Sequence, residues 1–401
     1  MRGQMHMSCI KRVTVVTETF YPEVNGVANT LYFLVKGLKQ QNIDVQVIRP
    51  KQSHDSASHT HSSYHTTLVP GLPIPGYKQL RFGLPFVRRI RKAIVSFNPD
   101  AVYIATEGPL GLSALRIAKK CKLPVLSGFH TNFHQYFEHY HLVFLKAWVF
   151  KYLRAFHNAT ERTLVPTKLL QLQLAKQGFK RVHVMARGVD DVLFSPSRHS
   201  EALRQTWGVK PNEPVLLYVG RIAGEKNITL ALQSFDAFHA IQPSAKMVLV
   251  GDGPLSAALA KEYPDAIFVG VKRGESLAEY YASADIFLFP SVTDTFGNVV
   301  LEAMASGLHV LAFDYAAAAT LIQHGVNGSV AEHQNSQDFL NKIKQMALMW
   351  PENPQTRQQA RITSEQTSWQ LISEEFAEQL KMIKEEKSDG SHQESMFIPK
   401  V

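Results

Sequence analysis

The chain has 401 residues and two cysteines, with 43 Lys and Arg against 34 Asp and Glu for a formal charge of +9. That length predicts two domains with separate cores; ordinary apolar content excludes a wholly disordered chain, and Cys9 and Cys121 alone exclude a disulfide framework or a zinc spacing. The positive balance favours nucleotides, phosphorylated substrates or an anionic membrane face, while nucleic acid is set aside because no zinc-finger spacing, aromatic RNA-binding motif or long basic block occurs.

Residues 1–9 lack the apolar core of a signal peptide and no apolar run reaches bilayer length, which predicts a cytoplasmic location. Residues 12–17 then read as a short apolar strand and 18–26 as a loop. A helix follows over 27–40, with Leu31, Leu34, Val35 and Leu38 on one face, and a strand resumes at 44–48. This β–loop–α–β opening predicts a parallel sheet with right-handed crossovers, whose ligands gather at the carboxyl ends of its strands. His54, His59, His61 and His65 sit among serines and threonines without cysteines or carboxylate pairs, so they read as a polar loop rather than a metal site. Residues 85–95 predict an amphipathic helix with Phe86, Ile90 and Ile94 on one face and Arg88, Arg89, Arg91 and Lys92 beside it. A crossover helix with a solvated basic side is the plainer reading, and contact with anionic lipid the alternative.

Strands are expected at 100–105 and 124–127, the second running into Gly128-Phe129-His130-Thr131-Asn132. A histidine just past a strand end suits a ligand, although such residues also occur as structural loop members. The helix over 144–156 is aromatic-rich, 163–166 and 181–185 close the first half, and 187–200 reads as the linker. The second half repeats the grammar: strands at 215–219, 246–250, 267–269, 284–289 and 309–313 each run into a loop with glycine or charge. Helical periodicity over 355–384 predicts a C-terminal helix returning to the first domain, and 386–401 reads as a flexible tail. The expected divisions are therefore 1–190, 191–355, 356–385 and 386–401.

One stretch organises the second half: strand 284–289, then a loop with Asp294 and Gly297, then a helix containing Glu302. A helix start offers free N–H groups to an anion, and a glycine lets a phosphate approach the main chain. By itself this pattern fits an ordinary βα turn with a capping aspartate. Arg221 and Lys226, in the loop after strand 215–219, change the balance: two cations and a helix N-terminus converging make a diphosphate site. Glu302 would then accept hydrogen bonds from the two hydroxyls of a ribose.

These segments resemble one family. Residues 17–27 (Thr-Glu-Thr-Phe-Tyr-Pro-Glu-Val-Asn-Gly-Val), 128–132, Gly220-Arg221 with Lys226-Asn227, Gly251-Asp252-Gly253-Pro254 and the 290–307 stretch are together similar to retaining GT-B glycosyltransferases of the large family conventionally numbered four. Within it, the chain is most similar to bacterial nucleotide-sugar-dependent mannosyl- or glucosyltransferases acting on lipid or glycolipid acceptors. The resemblance implies an α/β, GT-B fold: two Rossmann-like doubly wound domains facing a central cleft, with a C-terminal helix returning to the first. It implies that Arg221 and Lys226 hold the donor diphosphate and Glu302 the ribose. Gly220, Thr295, Phe296, Gly297, Asn298 and Val299 would line the phosphate and sugar, and Val271 would meet the base edge.

The same resemblance places His130 against the donor sugar near the reacting carbon and lets Gly26 permit closure over the donor. Glu18, Tyr21, Asn25 and Asn132 would lie on the acceptor side. It implies retention of anomeric configuration, with the leaving diphosphate taking the acceptor's proton, no metal ion and no cofactor beyond the substrate nucleotide sugar. GDP-mannose is the expected donor and a UDP-sugar the alternative; a lipid or glycan hydroxyl is the expected acceptor. One departure stands out. The family usually has glutamates at both ends of a seven-residue gap, and Asp294 occupies the first place here, one methylene shorter. Readings from other classes are a nucleotide-sugar epimerase and a non-catalytic sugar-nucleotide-binding protein. Peripheral association with the inner face of the membrane stays open.

Overall fold

The structure, a computed structural model, describes residues 9–21, 23, 25–52, 55, 64–74, 77–130, 143–294, 296–351 and 354–395. The chain divides into two compact units, residues 1–186 with 369–401, and residues 187–368.

The first unit is built on seven parallel strands: β1 (Arg12–Val16), β2 (Asp44–Pro50), β3 (His65–Val69), β6 (Ala101–Ile104), β7 (Val125–Gly128), β8 (Arg162–Val165) and β9 (Val182–Val184), in the order β3-β2-β1-β6-β7-β8-β9. Val13, Val15, Val16, Val45, Val47 and Ile48 are all almost fully buried. Burial on both faces is why these segments read as unbroken apolar runs rather than alternating ones. The order reverses between β1 and β6, so the loops that leave their carboxyl ends diverge and open a crevice. Two further strands, β4 (Gly71–Ile74) and β5 (Tyr77–Gly83), form an antiparallel hairpin that the sequence reading leaves out. The helix Val87–Phe97 follows, burying Ile90, Ala93 and Ile94 while Arg88, Arg89, Arg91 and Lys92 face solvent. Phe86, expected on the apolar face, is exposed instead, because it is the residue before the first turn and lies outside the helix.

The second unit has six parallel strands: β10 (Val215–Val219), β11 (Lys246–Val250), β12 (Ala266–Phe268), β13 (Ile286–Phe289), β14 (His309–Phe313) and β15 (Ser329–Ala331), in the order β12-β11-β10-β13-β14-β15. Its reversal falls between β10 and β13. Asp285, just before β13, ties this unit together. It accepts from the Val215 amide at 3.0 Å, from Arg204 Nη1 at 3.0 Å and from Arg357 Nη1 at 3.2 Å. Arg204 is buried, so removing its carboxylate would strand a charge away from water. Asp285→Ala is therefore expected to lower the unfolding free energy by about 3 kcal/mol or more, read as a lower urea midpoint. A midpoint unchanged from wild type would show that Arg204 finds water or another acceptor.

The periodic segment 356–385 turns out to be two helices. Pro354–Glu365 belongs to the second unit, where Arg361 donates to the carbonyls of Phe194, Ala305 and Asp191 and Arg357 to that of Gly307. Trp369–Ser395 belongs to the first unit and packs on the helix Gly26–Gln40. Phe376, Leu380 and Ile383 join the core of Leu31, Leu34 and Leu38, and the ring of Trp369 stacks on Phe33 at 5.0 Å. Gly37 makes this approach possible, since a Cβ there would stand 2.2 Å from Ser373. The stretch after Glu385, expected as a flexible tail, continues the helix to Ser395. Glu386 pairs with Arg162, and Lys387 bonds Glu161 at 2.9 Å and the Leu123 carbonyl at 2.8 Å, so these two charges are anchored on the first unit.

Candidate functional site

In the second unit the two loops at the sheet reversal are stitched to each other. After β10 the chain makes a 3-10 turn at Gly224–Lys226 and passes through Asn227, whose φ of +54° is left-handed, before the helix Ile228–His239. Asparagine tolerates that conformation better than most residues, and Asn227 Nδ2 also donates to the Pro290 carbonyl at 3.2 Å. Thr293 Oγ1 donates to the Glu225 carbonyl at 2.9 Å. Between the loops, Lys226 Nζ stands 2.7 Å from Asp294 Oδ1, and Ser291 donates to the other oxygen of that carboxylate. Arg221 pairs with Glu225 at 3.0 Å and is more than half exposed. Beneath them the buried Tyr218 hydroxyl donates to the Arg221 carbonyl at 3.0 Å. Burial, with the charges of Asp294 and Glu225, pushes that phenol up, so it remains a neutral donor.

The helix Asn298–Ala305 begins at Gly297, whose φ of +93° falls in the left-handed region; a Cβ there would also meet the Phe289 ring at 3.0 Å. Gly297 offers no side chain to cap the first turn, so that turn's N–H groups have no side-chain acceptor at the cap. Such an end carries about half a positive charge. Phe296 is buried, its carbonyl accepts from the Ala317 amide at 2.8 Å, and the Arg187 guanidinium lies 5.9 Å from its ring centroid. One turn into the helix, Glu302 accepts from the Tyr281 hydroxyl at 3.0 Å. Burial pushes the Glu302 carboxyl up to about 7, against which the Tyr281 hydrogen bond pulls down. Gly220 lies at the end of β10, and Asn298 and Val299 occupy the first turn of the helix. Val271 is exposed on the loop after β12, two strands from β10. Thr295 lies outside the described residues.

In the first unit, Asn25 caps the helix Gly26–Gln40, its side chain accepting from the Val27 and Ala28 amides at 3.1 and 2.9 Å while Nδ2 donates to Thr19. Glu18 accepts from the Gly83 amide at the end of the hairpin and from the Leu110 amide at 3.3 Å in the first turn of the helix Pro109–Lys120. Burial pushes its carboxyl up to about 7, the two amides pulling the other way. Tyr21 is exposed with its ring 5.1 Å from that of Tyr32. His130 lies just past β7, with the Tyr103 hydroxyl 2.8 Å from Nε2. Asn132 lies outside the described residues, as do His54, His59 and His61. Of the hydroxyls that hold the candidate side chains, Tyr281 and Tyr103 have no role in the sequence reading, and Ser291 enters it only as part of the 290–307 stretch. Only Ser291 carried any signal, by adjoining the loop it serves.

Two doubly wound parallel sheets, each with one reversal of strand order, are the architecture of the GT-B glycosyltransferases. The sucrose-phosphate synthase of Thermosynechococcus elongatus shares this fold with a TM-score of 0.74 at 17% identity, covering 93% of this chain and 99% of that one. Residues 24–193 match the family described as Glycosyltransferase Family 4, and 213–348 match Glycosyl transferases group 1. The GDP-mannose-dependent alpha-mannosyltransferase of Mycobacterium tuberculosis is 35% identical over 308 residues, 76% of this chain and 80% of that protein. The alpha-monoglucosyldiacylglycerol synthase of Streptococcus pneumoniae is 27% identical over 315 residues, 75% of this chain and 70% of that protein. The chain belongs to glycosyltransferase family 4.

Proposed function

We propose that the protein is a retaining, metal-independent hexosyltransferase that moves mannose from GDP-mannose to a hydroxyl of a lipid or glycan and releases GDP. The observation that carries the donor site is the Lys226–Asp294 pair, 2.7 Å long, in loops that flank the uncapped start of the helix Asn298–Ala305. In this reading Lys226 and Arg221 leave their carboxylates for the donor diphosphate, and the helix N-terminus adds positive potential as charge builds on the leaving group. Glu302 accepts the ribose hydroxyls, and His130 meets the donor sugar. Asp294 is the side chain on which sugar choice turns, and the Ser291 hydrogen bond stays to orient it once Lys226 has left. GDP-mannose is favoured over UDP-glucose by the more similar of the two relatives, and a lipid acceptor by the name of the other. A thermal-shift screen of nucleotide sugars, followed by product analysis with lipid extracts, tests this. A protein stabilised by UDP-glucose and not by GDP-mannose would reassign the donor. Conversion of a nucleotide sugar without any acceptor would favour an epimerase, and binding without turnover a sensor.

A membrane-facing surface has its own support. No helix of the described residues is long and apolar enough to cross a membrane. The helix Val87–Phe97, however, presents four basic residues beside Phe86, Val87 and Val95, which are each about half exposed. Such a face suits anionic headgroups, each Lys or Arg contributing about 1 kcal/mol near the surface. The full chain is expected to sediment with phosphatidylglycerol vesicles at low salt, and Arg88→Glu with Arg91→Glu to release it. Wild-type protein that stays in the supernatant at low salt would count against this surface.

A further inference from the structure

Tyr103, on β6, is fully buried, yet its hydroxyl reaches His130, 2.8 Å from Nε2. The two rings meet almost at right angles with centroids 6.5 Å apart. Gly128, the last residue of β7, lies under this bond: a Cβ there would stand 2.2 Å from the Tyr103 oxygen and 2.4 Å from His130 Nε2. No side chain fits at such distances, so the hydrogen bond depends on a glycine at that strand end. Phe376, from the C-terminal helix, packs edge to face on the tyrosine at 4.9 Å. The phenol is thus fixed by the sheet and by a helix that carries none of the candidate site residues.

We propose that Tyr103 is a positioning residue for sugar transfer: it donates its phenolic hydrogen to Nε2 of His130, fixes the plane of the imidazole and leaves the ring proton on Nδ1. The proposal rests on the reading of His130 as the residue that meets the donor sugar. A histidine on a loop can turn about two side-chain torsions, and a bond to a buried, braced hydroxyl removes that freedom. A neutral imidazole has one donor and one acceptor, so a partner that occupies one nitrogen as acceptor makes the other the donor. Small displacements of such a group are costly, because reacting groups must be held near their productive geometry. Through Phe376 the returning helix then contributes to catalysis without touching substrate.

Nitrogen-15 NMR of the histidine side chains in the full chain, with His130→Ala to assign the signal, reads the tautomer directly. The expected result is an Nδ1–H tautomer for neutral His130 and a changed Nε2 signal in Tyr103→Phe. The same variant should release GDP from GDP-mannose roughly ten- to a hundredfold more slowly with KM unchanged. Adding Tyr103→Phe to His130→Ala should slow it no further. An Nε2–H tautomer in the wild-type protein overturns the proposal, as does a Tyr103→Phe variant that turns over normally while His130→Ala is slow. A His130→Ala variant as active as wild type overturns the role of His130 in the donor site, and this proposal with it. Tyr103→Phe keeps the ring against Phe376; should it nevertheless unfold, the wild-type tautomer decides the question.

Discussion

Lys226→Ala is expected to lower turnover with saturating GDP-mannose by two to three decades, about 3 kcal/mol of barrier, while leaving the melting temperature nearly unchanged. The two effects separate because they draw on different states. In the structure Lys226 is paired with Asp294 at 2.7 Å, with both side chains roughly a fifth to a quarter exposed. The pair is about three-quarters shielded, but its loss leaves Asp294 with the Ser291 hydroxyl and some solvent, so the cost to folding is expected to be about 1 kcal/mol. During transfer the same ammonium would face a diphosphate whose negative charge grows as the glycosidic bond breaks, an interaction stronger in the transition state than in the ground state. The loop that carries it is held without the lysine, by Asn227 on the Pro290 carbonyl and Thr293 on the Glu225 carbonyl. Arg221, more exposed and paired with Glu225, should give a smaller loss when replaced by alanine. Near-normal turnover of Lys226→Ala with saturating donor would remove this residue from the diphosphate site. A large drop in melting temperature would reassign it to structure.

The βαβ grammar was legible because strands buried on both faces leave continuous apolar runs such as 215–219 and 286–289, each followed by glycine or charge. The loop residues Arg221, Lys226, Asp294 and Gly297 were legible because they stand at strand ends, where open sheets gather ligands. What holds them was not. Tyr281 lies on the helix Gly274–Ala282 and reaches Glu302 across the core, and a tyrosine beside another in a helix has no pattern to betray that role. Glu18 likewise meets Gly83 and Leu110 only through the fold, since they lie 65 and 92 positions further along the chain. The break between the last two helices escaped detection because the apolar period runs on across it. Arg361 reaching the Phe194 and Ala305 carbonyls and Val189 bridging to Ser368 fix the first of them to the second unit, and neither contact leaves a local signature. The run after Glu385 is charged and reads as a solvated tail until Arg162 and Glu161, on and beside β8, are seen to bind it.

Glu302→Gln should cost one to two decades in affinity for GDP and remove a proton from the binding equilibrium. Hydrogen bonds to a charged partner contribute about 1.5–3 kcal/mol, and the ribose would lose the charged member of such bonds. The proton follows from burial. In the free protein the Glu302 carboxyl is raised from 4.5 to about 7, so between those values the folded chain holds a proton that the unfolded chain has released. Stability contributed at this site therefore falls as pH rises through that window, and Glu302→Gln should flatten the fall. Two ribose hydroxyls are accepted best by an ionised carboxylate, which offers both oxygens as charged acceptors, so GDP binding near pH 6.5 should expel the proton. The observed binding enthalpy would then depend on the ionisation enthalpy of the buffer. In Glu302→Gln that dependence should shrink to the part that comes from the terminal phosphate of GDP, whose last proton titrates at about pH 6, whereas Lys226→Ala should keep the carboxylate's part. Equal buffer dependence in wild type and Glu302→Gln would mean that another group releases the proton. An undiminished affinity for GDP would remove Glu302 from the ribose site altogether, leaving the Tyr281 hydrogen bond as a core contact.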